Sequence, residues 1–232
     1  KQMALKHLLL VPVFTFLALP AAAQTALSLS ASGTAQAAPD EAVANFNVQA
    51  MKPDAASAQG AVNQAVAKAM AAAKTVPGVV VTTGGYNSYS STPDGQTQPQ
   101  FTASQSLTLT QPATDGVPDK TFTSLLAEMQ ADGLLLNGLS GDLSQAGQDK
   151  AQRAAIRDAL AQLRAQADDI ADALHKKVGA LKTLNVNAGG GPVPPMPRMM
   201  AMAMTAPAPQ SAPDKITITA NVTAEIELDA AN

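Results

Sequence analysis

Strict alternation of apolar and polar positions recurs along this chain and marks most of its strands. Leu27, Leu29 and Ala31 alternate with Ser28 and Ser30, and Gly33 and Pro39-Asp40 punctuate the run. Ala44, Phe46, Val48 and Ala50 then alternate with Asn45, Asn47 and Gln49, which predicts a second strand in a hairpin with the first. Pro53-Asp54 opens a helix with Asp54 as its N-cap. The apolar stripe of that helix is Val62, Val66, Ala69, Met70 and Ala73, and Pro77-Gly78 ends it. Val79 to Thr83 reads as a β-branched strand. Gly84 to Pro99, rich in Gly, Ser, Thr and Gln, is a long hairpin tip or a ragged strand end before alternation resumes from Phe101 to Thr110.

Gly116 and Pro118 precede a short helix with Phe122, Leu125, Leu126 and Met129 on one face, closed by Gly133. Leu134 to Leu143 predicts a strand interrupted by Gly138 and Gly141. The clearest helix runs from about Asp149 to Val178. Its seam, Ile156, Leu160, Leu163, Ala167, Ile170 and Leu174, is spaced 4, 3, 4, 3 and 4. Such a seam suits a coiled coil or a helix lying across a sheet; coiled coils sustain more heptads, so sheet packing is expected. Gly179 is placed to terminate the helix, and Leu181 to Val186 continues as a strand.

Residues 189–213 hold three glycines, seven prolines and five methionines, a composition that reads as a mobile loop outside any regular sheet or helix. Beyond it Ile216, Ile218, Ala220, Val222, Ala224, Ile226 and Leu228 alternate with polar residues. A strand that long, guarded only by Glu225 and Glu227, is expected to be central in a sheet or paired across a subunit boundary. The order β-β-α-β-β, then α-β-α-β-β, predicts an α+β fold of antiparallel sheets packed with a long helix in the C-terminal half. It also suggests a β-β-α-β-β duplication, without sequence identity between the halves.

The first residues change the picture of compartment. Lys1 and Lys6 precede the apolar run Leu8 to Leu19, and Ala21-Ala22-Ala23 comes before Gln24. This is the plan of a secretory signal peptide over 1–23, leaving 24–232 as an exported, periplasmic domain. Pro12 and Pro20 interrupt the run, and no later segment offers the ~20 apolar residues of a transmembrane helix.

Composition then narrows the chemistry. The chain of 232 residues has no Cys, which excludes disulfides, thiol catalysis and Cys-ligated metal centres. With 15 Lys+Arg against 18 Asp+Glu, the formal net charge is −3. No basic surface is indicated for nucleic acid. His175 stands beside Lys176 and Lys177 in an expected helix-terminal basic cluster, but no nucleophile elbow accompanies it. Asp168 and Asp172 lie four apart on one helix face and read as solvated, since no calcium-loop pattern surrounds them. Gly189-Gly190-Gly191 leads into prolines, not into a helix N-terminus, so it is no phosphate loop. Met196, Met199, Met200, Met202 and Met204 supply soft thioether donors suited to monovalent copper, and are also oxidisable. Catalytic residues, metal ligands and cofactor contacts are therefore expected to be none.

The motif order as a whole resembles a known family. A strand bearing Gly33 leads to Pro39-Asp40, an alternating strand and an Ala-rich helix. Then come "ADGLLLNGLSGDLS", the long helix "AQRAAIRDALAQLRAQADDIADALHKKVGALKTLNV", the Pro/Met loop and the final strand. Together these resemble the SIMPL-domain family of bacterial periplasmic and envelope proteins, over about residues 25–230. The resemblance implies an α+β fold, a cell-envelope location and no established enzymatic activity. It further implies homo-oligomers in some members and links to oxidative-stress tolerance in several. The expected function is thus an exported, non-enzymatic protein acting through homo-oligomerisation or an envelope partner. The alternative is copper binding or oxidant buffering by the methionine run.

Overall fold

A computed structural model describes residues 25–92, 98–188 and 214–230, and these described residues form ten regular elements. In order they are β1 (Thr25–Ala37), β2 (Glu41–Lys52), α1 (Ala55–Ala73), β3 (Val80–Ser91) and β4 (Gln100–Pro112), then α2 (Lys120–Ala131), β5 (Leu135–Asp142), α3 (Gln145–Ala173), β6 (Lys176–Asn187) and β7 (Ile216–Ala230). They form an α+β fold with two antiparallel sheets: a larger one in the order β3-β4-β2-β5, and a smaller one in the order β1-β7-β6. The residues of the expected signal peptide, and the run 189–213, lie outside the described residues.

Alternation in β2 and β4 sends Ala44, Phe46, Val48, Leu107 and Leu109 to one face of the larger sheet, where all are buried. Helix α1 lays Ala58, Val62, Val66, Ala69 and Ala73 on that face, and α2 adds Phe122, Leu125, Leu126 and Met129. Both helices begin at aspartate caps. Asp54 accepts from the Ser57 N–H at 2.8 Å, as the sequence predicts. Asp119 accepts from the Phe122 N–H at 2.8 Å and from the Thr121 hydroxyl at 2.6 Å. Gly133, at a φ of +90°, lets the chain leave α2 in a conformation that side chains resist.

In the smaller sheet β7 is central, so the long alternating strand is internal and the sheet's edges fall to β1 and β6. Helix α3 crosses its inner face with Ala151, Ala155, Ala159, Leu163, Ala167 and Ala171 buried. That stripe differs from the expected seam. Leu163 and Ala167 are shared, but Ile156, Leu160 and Ile170 are half-buried, and Leu174 is exposed beyond the helix. The reason is proximity. A Cβ on Gly33 of β1 would lie 2.7 Å from the Ala159 Cα and closer still to the Ala159 N and Ala155 O. Strand and helix backbones meet there, and only small residues fit between them.

Other expectations are corrected too. β1 does not form a hairpin with β2; it pairs with β7, Thr25 opposite Leu228 and Ala37 opposite Ile216. The smaller sheet draws its strands from both ends of the described chain. The long helix starts earlier and stops earlier than read: it is capped by Ser144, and Lys176 to Gly179 belong to β6.

Asp40 ties the two halves together. Its N–H donates to the Asp142 carbonyl (3.0 Å), and its carbonyl accepts from the Ala113 N–H (2.9 Å). Its carboxylate takes the Ser144 N–H (2.5 Å) and the Ser144 hydroxyl proton (2.7 Å). The Ser144 oxygen in turn accepts from the Gly147 N–H at 3.1 Å, so the larger sheet's side of the molecule holds the first turn of α3. Beside it the carboxyl of Glu41 is pushed up from its ordinary value, by burial first and then by the charges of Asp40 and Asp142.

Candidate functional site

The residues singled out in the sequence do not converge on one centre. His175 is exposed at a φ of +53° directly after Leu174, the C-cap of α3, with its N–H donating to the Asp172 carbonyl at 3.0 Å, and Lys176 and Lys177 follow it as the first residues of β6. Lys176 reaches across to the Thr25 hydroxyl at 2.9 Å. Asp168 lies 4.0 Å from Arg164 on the exposed side of α3. Among the described residues no three His, Cys, Asp or Glu stand where they could share a metal ion. The methionine run and Gly189 to Gly191 lie outside the described residues.

What the described residues do build is a half-exposed apolar face. Helix α3 is displaced toward β1, and its Asp158 carboxylate accepts from the Thr34 N–H at 2.9 Å, occupying a backbone donor of that edge strand. It leaves the inner-face side chains of β6 about half-exposed. Val178, Leu181, Leu184 and Val186 register with Leu228, Ile226, Ala224 and Val222 of β7, all of which are buried, the last three against α3. The four β6 side chains therefore belong to the inner face, yet they remain 39, 53, 45 and 40% exposed. Two register shifts, on either side of Leu181, add twist to this strand.

Between α3 and β6 runs a groove of 650 Å³. Leu163, Ala167, Ala171 and Ile226 line its base, with Leu160, Arg164, Asp168 and Asp172 contributed by α3. Val178, Gly179, Leu181 and Leu184 line it from β6, and Lys176 and Lys177 stand at the strand's beginning. Covering the β6 side chains contributes on the order of 1 kcal/mol each, half of a full burial. The arrangement is thus apolar area rimmed by charges of both signs. Sequence reading missed it because apolar residues in a strand are assigned to the core by default.

Among the described residues no helix is long and apolar enough to cross a membrane. No curated protein matches the chain. A family model does: the one described as SIMPL, protein of unknown function (DUF541), matches residues 27–226, from within β1 to within β7. By that match, over nearly all of both sheets, the chain belongs to the SIMPL family.

Proposed function

We propose that this chain is an exported, non-enzymatic protein of the bacterial envelope, periplasmic once residues 1–23 are removed. It acts by homo-oligomerisation or by binding an envelope partner, in the service of oxidative-stress tolerance. The observation that carries this reading is the half-exposed inner face of β6, since contiguous exposed apolar surface marks interaction sites. The charged, apolar N-terminal run supports export. Light scattering on the purified protein at roughly tens of micromolar, together with capture of partners from intact envelopes, tests it. An assembly or a stoichiometric partner is expected; a monomer with neither refutes the reading.

A second reading rests on five thioethers within nine positions, Met196 to Met204, as a copper(I) or oxidant-buffering tract. Copper(I) titration of the full chain against a form lacking residues 196–204 separates it from the first. Saturable binding lost with the deletion favours metal; equal behaviour removes it.

A further inference from the structure

An edge strand offers its unpaired backbone groups to any other strand unless something guards it. Among the described residues the edges are β1 and β6 in the smaller sheet, and β3 and β5 in the larger. Three of them are guarded, each by its own device. Helix α3 lies against β1, where Asp158 takes the Thr34 N–H. β6 carries Lys176, Lys177 and Lys182. β5 is eight residues long, with Gly138 and Gly141 inside it and a register shift against β2.

β3 is different. Over Val80–Ser91 it holds no charge and no proline, and every residue from Thr82 onward is exposed. Among the described residues it pairs with β4 alone. Its register shift, at Gly84 and Gly85, leaves Tyr86 to Ser91 paired residue for residue with Gln105 to Gln100. That segment is an open edge.

Its residues say what fits it. Across a two-fold axis a strand meets its own sequence, so the surface must complement itself. Tyr, Asn and Ser side chains both donate and accept, so each can pair with its like, whereas a charge would face its own sign. Tyr86-Asn87-Ser88-Tyr89-Ser90-Ser91 contains nothing else. Tyr86 and Tyr89, 41 and 55% exposed, add aromatic area on opposite faces of the strand. A strand of another protein would be selected by pockets for its alternate side chains. Beside Asn87 and Tyr89, β4 presents Ser104 and Thr102, small hydroxyl residues.

We propose that two copies of this chain join edge to edge through β3, antiparallel about a two-fold axis normal to the sheet. Four strands from each copy then form one continuous sheet, within the ~10 strands that open sheets reach. Opposed residues share a face, so the axis falls on a residue of the segment, whose middle is Ser88 and Tyr89. This rests on the homo-oligomerisation reading above and assigns it a surface other than the face of β6.

The chain has no Cys, so a single introduced one reports on its symmetry mate. In the full chain, Asn87→Cys, Ser88→Cys, Tyr89→Cys and Ser90→Cys are oxidised separately. Disulfide-linked dimer should peak at Ser88→Cys or Tyr89→Cys and fall on either side, with little at Leu135→Cys in β5 or Thr183→Cys in β6. The double variants Ser88→Lys/Ser90→Lys and Ser88→Glu/Ser90→Glu should each weaken the dimer at least tenfold in low-salt sedimentation. Their thermal midpoints should be unchanged, and an equimolar mixture of the two should restore the dimer. Equal cross-linking at all six positions overturns the proposal, as does a mixture that stays monomeric. An assembly indifferent to both double variants overturns it and leaves the assembly reading standing through another surface. A native chain that is monomeric overturns self-pairing even where a partner protein is captured, and without a partner it ends both readings.

Discussion

The two sheets of this protein apply one packing rule to different degrees of completion. In the larger, aromatic and branched residues of β2, β4 and α2 close a core under two helices, with Phe46, Leu107 and Phe122 essentially inaccessible. In the smaller, α3 makes its contact through a ladder of alanines set against Gly33, and its reach ends before β6. Close approach and broad cover are alternatives. A helix drawn tightly onto one side of a sheet by small residues cannot also shade the strand at the other side. The larger half closes its core, and the smaller half leaves the inner face of β6 half-exposed.

Substitutions can break this contrast or sharpen it. The largest effect is expected in the closed core: Phe122→Ala should cost about 3–5 kcal/mol, read from the urea midpoint. A loss under 1 kcal/mol would mean that the larger core is not the closed one. Gly33→Val comes next. Its side chain meets the backbone of α3, so about 1–3 kcal/mol should be lost. Hydrogen exchange should place that loss in β1, β7 and α3 and spare β2 and β4. Uniform loss across both sheets would mean that the halves unfold as one unit.

Acid provides a finer separation. The carboxyls of Asp119 and Asp54 are held below their ordinary values, the first by the Thr121 hydroxyl and then the Phe122 N–H, the second by the Ser57 N–H. Stability from these caps is present above the ordinary carboxylate value and is lost as pH falls through the lowered one. Glu41 runs the other way. Its raised carboxyl opposes the fold when charged, and that opposition is relieved as pH falls through the raised value. Asp119→Ala should therefore cost about 1 kcal/mol at neutral pH and flatten the acid limb of the stability curve. Glu41→Gln should raise the neutral-pH midpoint slightly. An unchanged acid limb in Asp119→Ala would remove the cap from the account.

The sequence made local structure readable and long-range pairing unreadable. Alternation places Phe46 and Leu107 inward, and the spacing of Phe122, Leu125, Leu126 and Met129 defines the buried face of α2. The pairing of Thr25 with Leu228 has no local signature, since proximity in sequence favours the hairpin with β2 that does not form. The stripe of α3 was misread because Ile156, Leu160 and Ile170 outweigh alanine on any hydrophobicity scale. At a backbone contact, small size decides instead. The groove was hidden for the same reason: Val178, Leu181 and Leu184 look like core until it is known where α3 lies.

The most direct test of the open face is the urea midpoint of the double variant Leu181→Ser/Leu184→Ser. Each of those side chains is about half-buried in the free protein, so the change should cost no more than about 2 kcal/mol. A loss of about 4 kcal/mol or more, the range of two fully buried leucines, would show that the face is already covered and contradict the account.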